Sequence, residues 1–167
     1  TIRMSSGGKI VAFAASLLIL VGVLAHLSTK GPNDSIFIPY LSSISYLPVV
    51  RVGEVAVRVF IADTEEKRIT GLSGHDPLQP KEGMLFLFDE DGKYGIWMKD
   101  MKFAIDIIWF DSDGRIVGIA ERATPESFPK VFTPNAPARY ILEVSAGFVE
   151  QHNVDARDEV NFGDISH

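Results

Sequence analysis

The sequence predicts a mainly β protein: a mostly antiparallel sandwich or barrel carrying one short helix, preceded by an N-terminal hydrophobic helix. Three observations predict it. Short apolar runs, some alternating with a period of two, recur along residues 49–163. Turn signals built from Gly, Pro and Asp separate them. One stretch only, residues 63–74, carries the cap and stop signals of an ordinary surface helix.

The chain divides by composition into a leader (1–27), a tether (28–48), a β domain (49–163) and a short tail (164–167). The leader run Ile10–Leu27, IVAFAASLLILVGVLAHL, follows Arg3 and Lys9 and meets no charge until Lys30. An apolar helix of this length can cross the roughly 30 Å hydrocarbon layer, and its basic flank would stay cytoplasmic. Two forms are open, a cleaved secretory signal and an uncleaved anchor. Val23-Leu24-Ala25 offers a small-residue cleavage site, whereas the run exceeds the usual signal core. Both forms predict an extracytoplasmic body, and the uncleaved form makes the membrane its partner through this segment. The first residue is Thr1, and Met4 is read as the start. The tether mixes Ser, Gly, Pro and aromatics without period.

Composition excludes several functions. Residues 1–27 hold two bases and no acid, so the remainder carries 14 basic against 22 acidic side chains, a net charge of −8. A phosphate-tracking nucleic-acid binder needs a basic face instead. With no Cys, disulfides, thiolate zinc sites and cysteine nucleophiles are absent.

The elements follow in order. In EVAVRVFIA, Val55, Val57, Val59 and Ile61 alternate with Ala56, Arg58 and Phe60, which is a strand. Asp63-Thr64-Glu65-Glu66 resembles an N-cap and opens the helix EEKRITGL, which stops at Gly71 to Gly74. MLFLF (84–88) suits a buried strand. Phe88–Lys93 and Phe110–Arg115 both read as hairpin turns, with Gly92 and Gly114 supplying positive φ. Neither fits a calcium loop, because the twelfth position is Asp100 or Arg122 and not a bidentate Glu. RIVGIA (115–120) and ARYILEV (138–144) are strands. The segment between them holds four Pro and reads as an extended loop. SAGFVEQHN suggests one helical turn and DEVNF a last strand.

Residues 94–111, YGIWMKDMKFAIDIIWFD, combine core and charge. Trp97, Met98, Ile105, Ile107 and Trp109 are expected in the core, with a bend at Lys99-Asp100-Met101-Lys102. Asp106 sits between two isoleucines. An unpaired carboxylate buried there would cost several kcal/mol or titrate far above its usual range. It must face solvent, pair with a base such as Lys99 or Arg68, or accept backbone N–H bonds. Glu143, inside YILEV, raises the same question. The candidate polar patch is therefore Arg68, Lys99, Asp100, Asp106 and Glu143.

The blocks GLSGHDPLQPKEGMLFLF, YGIWMKDMKFAIDIIWFD and ARYILEVSAG, in that order, resemble the DUF192 family over roughly residues 50–163. The resemblance implies a compact β-sandwich or barrel of jelly-roll type, frequently behind a secretion signal, and no established activity. Its recurrent positions fall on Arg68, Gly71, Leu72, Gly83, Met84, Phe86, Trp97, Met98, Lys99, Asp106 and Glu143. Ser73 and His75 stand where many members carry Met and Arg, which weakens that loop as an anion contact. Ala104 and Arg157-Asp158 also depart from the pattern, as local turn and strand adjustments.

Other motifs carry little. Gly71-Leu72-Ser73-Gly74-His75 misses the nucleophile elbow at its fifth residue and follows a helix. His26, His75, His152 and His167 show no metal spacing, so neither a metal nor another cofactor is expected. The expectation is a non-enzymatic binding or accessory module of the cell envelope, whose ligand is a small molecule, a glycan or an envelope protein. The alternative is a hydrolase of an envelope polymer using Asp100, Asp106 and Glu143 as its acids, which requires two of them in one cleft.

Overall fold

The structure, a computed structural model, describes residues 47–163 and Ile165. The leader, most of the tether and most of the tail lie outside the described residues. Among the described residues no helix is long and apolar enough to cross a membrane.

Nine strands are present among the described residues: β1 (Val49–Val52), β2 (Val55–Ala62), β3 (Glu82–Gly92), β4 (Ile96–Trp97), β5 (Ile105–Phe110), β6 (Ile116–Ala123), β7 (Val131–Phe132), β8 (Ala138–Ser145) and β9 (Val160–Asn161). Two short helices accompany them, α1 (Glu65–Thr70) and α2 (Phe148–His152). Seven strands form one curled half-barrel sheet in the order β6-β5-β8-β3-β2-β1-β9. Every pair is antiparallel except β2–β3. That pair is parallel because α1 and the loop after it carry the chain back to the start of β3, the crossover that parallel neighbours require.

Local chemistry sets the ends of α1. Thr64 Oγ1 accepts from Lys67 N at 3.3 Å, Glu65 and Glu66 occupy the first turn, and Gly71 closes the helix at φ 51° with its N–H on Lys67 O. The turn after β5 is the expected hairpin. Asp111 Oδ1 accepts from the N–H groups of Asp113 and Arg115, both at 2.9 Å, and Gly114 adopts φ 83°. A Cβ at Gly114 would meet Val160 O at 2.8 Å, so glycine also lets β9 approach. Val160 N donates to Gly114 O, which draws the last strand toward the β5–β6 turn and curls the sheet.

Three expectations are corrected. Phe88–Lys93 is not a hairpin turn: β3 runs on to Gly92, and β4 pairs with β7 instead. The Pro-rich segment is not wholly loop, since it holds a 3-10 turn at Pro125–Ser127 and β7. Trp97 is not core. It lies on the two-stranded ribbon at 48% exposure, because a two-residue strand has no second layer over it. Met98, Ile105, Ile107 and Trp109 are buried as expected.

Both sheet faces are apolar, as a sheet covered on each side requires. The inner face gathers Val50, Val57, Leu85, Ile108, Leu142 and Val160 with α2. The outer face gathers Met84, Phe86, Ile105, Ile107, Trp109 and Ile141 beneath Leu72 and Met98. Trp109 Nε1 donates to Tyr94 O at 2.9 Å, so the largest outer-face ring buries no unpaired donor.

Candidate functional site

Register decides where the two buried acids point. Glu143 on β8 stands opposite Met84 on β3 and Ile107 on β5. Directly opposed residues share a face, so Glu143 belongs to the outer face with those two. Asp106 precedes Ile107 by one residue and so faces inward. These are the two buried charged residues among the described residues, at 4% and 0% exposure, and the sheet lies between them.

Over the outer face α1, the Gly71–Ser73 turn and the Tyr94–Trp97 segment line an open pocket of about 350 Å³. Its walls are mostly apolar: Ile69, Leu72, Phe86, Phe88, Ile96 and Met101. Glu143 also lines it. Among the described residues no protein hydrogen bond or ion pair reaches the Glu143 carboxyl, whose oxygens border the pocket and are not sealed inside the protein. Burial alone pushes that carboxyl up to about 8, so the group is mostly protonated at neutral pH and can donate a hydrogen bond.

Arg68 lines the same cavity from α1. Its Nη1 donates to Asp63 O at 3.0 Å and Leu87 O at 2.8 Å, and its guanidinium lies 5.2 Å from the centre of the Phe88 ring. Phe88 in turn stacks on Tyr94, centroids 3.6 Å apart. Leu87 is three residues along β3 from Met84, so the Arg68 anchor and Glu143 are separated by roughly 10 Å of strand. One end of the pocket is thus cationic and the other is a neutral donor.

Asp106 has a structural role. Pairing slips between Ile105 and Ile107, where Asp106 alone faces Glu121 and Arg122, a bulge in which Arg122 takes φ 51°. Asp106 Oδ1 accepts from Arg122 N at 2.7 Å and Oδ2 from Val149 N at 2.9 Å. The second bond caps α2, whose own cap residue, Gly147, has no side chain to do so.

Of the five predicted patch residues, the structure brings together Arg68 and Glu143. Asp106 is on the opposite face. Lys99 and Asp100 are exposed, and their carbonyls accept from Ser73 Oγ (2.9 Å) and Gly74 N (2.9 Å), which ties two turns at the pocket edge. Lys99 Nζ lies 5.7 Å from the centre of a Trp97 ring. Asp106 and Glu143 therefore do not share a cleft, and the acid pair that hydrolysis needs is not assembled from them. Among the described residues no group of three or more His, Asp or Glu could hold a metal. Sequence reasoning missed Phe88, Ile96 and Met101 as pocket walls. The usable signal was parity, since Met84, Phe86 and Phe88 share one face of β3.

Fold and site together make this chain a small mainly-β domain with a mostly apolar pocket, bordered by one buried acid, on the sheet's outer face. The chain belongs to the DUF192 family, described as uncharacterized, which matches residues 48–162. A UPF0127 protein from Thermococcus sibiricus is 32% identical over 109 residues, 63% of this chain and 66% of that protein. A UPF0127 protein from Pyrococcus furiosus is 26% identical over 121 residues, 70% of this chain and 96% of that one. Among solved structures, a Sinorhizobium meliloti protein described provisionally as a transcription regulator matches with TM-score 0.65 and 30% identity, over 71% of this chain and 96% of its own. A protein of unknown function from Novosphingobium aromaticivorans matches with TM-score 0.65 and 26% identity, over 71% and 89%.

Proposed function

We propose that the domain is a non-enzymatic binding module that holds a small, mostly apolar molecule in the outer-face pocket and acts outside the cytoplasm. The observation that carries this reading is the unpartnered Glu143 carboxyl, buried in the wall of a cavity of about 350 Å³. An acid only 4% exposed in an apolar layer, with nothing but the pocket in front of it, loses most of its hydration, which costs on the order of 1–3 kcal/mol. A ligand that accepts a hydrogen bond from it would offset that cost. Volume and lining match ordinary small-molecule sites, which are concave, apolar and carry few polar groups. The curl of the sheet supports a jelly-roll barrel, with the pocket on its outer wall. The acidic excess works against the nucleic-acid role that the Sinorhizobium description would suggest.

The test is retention. The full chain purified from its native envelope is expected to release a small molecule on denaturation, detected by mass spectrometry. Thr70, exposed and lining the mouth, offers a block: Thr70→Trp should abolish retention and leave the melting temperature within a few degrees, as surface changes do. Retention by Thr70→Trp equal to that of the parent would refute the pocket.

The apolar run Ile10–Leu27 behind Arg3 and Lys9 supports extracytoplasmic display, anchored or released. Alkaline phosphatase, active only where its disulfides form, should be active when fused after His167. An inactive but full-length fusion would overturn that location.

A further inference from the structure

Resting on the binding reading above, we infer that the pocket selects an uncharged molecule, an apolar body bearing a carbonyl-type oxygen that accepts a hydrogen bond from the Glu143 carboxyl. The geometry around that carboxyl points to this class. Its neighbours across the sheet, Met84 and Ile107, and its neighbour along β8, Ile141, are apolar, so the head of a bound molecule meets one polar group there. The other titratable groups lining the pocket are Glu65 and Arg68 from α1 and Tyr94 from the segment before β4.

Each charged alternative meets an obstacle. A cationic head needs Glu143 ionised in an apolar wall, and Arg68 adds a like charge to the same cavity. An anionic head at the floor lies roughly 10 Å of strand from Arg68, whose Nη1 is already engaged by Asp63 O and Leu87 O. It meets a carboxylate once Glu143 loses its proton above about pH 8, and Glu65 lines the same pocket. A neutral acceptor meets no such cost, because the proton it needs is already in place. The volume fits: an apolar cavity of about 150 Å³ accepts benzene, so about 350 Å³ holds a ring with a substituent.

Three probes with one phenyl body and different heads test this: acetophenone, benzylamine and benzoate. Each is titrated into the full chain and followed by ¹H–¹⁵N shifts at Phe86, Tyr94 and Glu143. Acetophenone should bind most tightly, and its affinity should fall about tenfold or more between about pH 6 and about pH 10 as the Glu143 proton is lost. In Glu143→Gln, whose amide keeps a donor at every pH, the affinity should stay level across that range. Benzylamine or benzoate binding more tightly than acetophenone would overturn the neutral class and leave the pocket standing. A pH-independent acetophenone affinity in the parent would likewise overturn it. If none of the three moves these resonances, the binding reading itself fails.

Discussion

Asp106→Ala is expected to lower the stability of the domain by about 3–5 kcal/mol, with urea unfolding as the measurement. The residue is fully buried and accepts from two backbone groups, Arg122 N and Val149 N. Alanine leaves both N–H groups without an acceptor, in an apolar layer where each orphan costs about 1–3 kcal/mol. The two bonds also serve separate elements. One holds the β6 bulge, where Arg122 adopts a positive φ, and the other caps α2 in place of Gly147. A domain of this size has only about 5–15 kcal/mol in total, so the variant sits near the unfolding threshold. Asp106→Asn keeps one acceptor oxygen but turns an N–H₂ toward the other donor, and should fall between parent and alanine. A loss below about 1 kcal/mol for Asp106→Ala would show that these two bonds do not hold the bulge and the helix.

The second large effect is a loss of stability as the solution becomes alkaline, borne by Glu143. Its carboxyl titrates near 8 in the fold and near 4.5 in the open chain. Between those values the folded protein holds a proton that the unfolded chain has released, so stability falls as pH rises through this window. It is highest below about pH 4.5 and fully reduced above about pH 8, the reverse of a salt-bridged carboxylate. A shift of this size corresponds to a few kcal/mol, on the order of 3 kcal/mol once partial hydration through the pocket is allowed for. Asp155, held low by Arg157, and Asp63, held low by Lys67, act in the opposite sense. Their contribution is lost only in acid, so it stays constant across melts at about pH 5, 7 and 9, and comparison with Glu143→Gln isolates Glu143. The parent should lose melting temperature across that series. Glu143→Gln should be nearly level and should be the more stable of the two at the alkaline end. Parallel curves for the two proteins would mean that the Glu143 carboxyl is solvated.

Glu143 and Asp106 show how far residues alone could lead. Each was recognisable as an acid in a run of β-branched and aromatic neighbours, with solvent, a base or backbone N–H groups as the possible partners. For Asp106 the partners proved to be backbone donors. For Glu143 neither a base nor a backbone donor applies, because the carboxyl borders the pocket where a partner would be. Arg68 was named for its charge, and in the structure it binds carbonyls of Asp63 and Leu87 while lining that cavity. Trp97 misled because aromatic residues at strand spacing normally pack inward, and nothing local marks a strand only two residues long.

By itself the sequence determined the elements whose causes are local. Alternation made β2, the Thr64 cap and Gly71 stop made α1, and Asp111 with Gly114 made the β5–β6 hairpin. Three ordered blocks also identified the family before any coordinate did. Tertiary structure alone decided which strands became neighbours, that β4 joins β7, and that a pocket opens between α1 and β3. The reason is that parity along one strand is local, whereas the register between β5 and β8, more than thirty residues apart, depends on how the whole sheet assembles. That register sent Asp106 into one layer to hold the fold and left Glu143 in the other, facing a space.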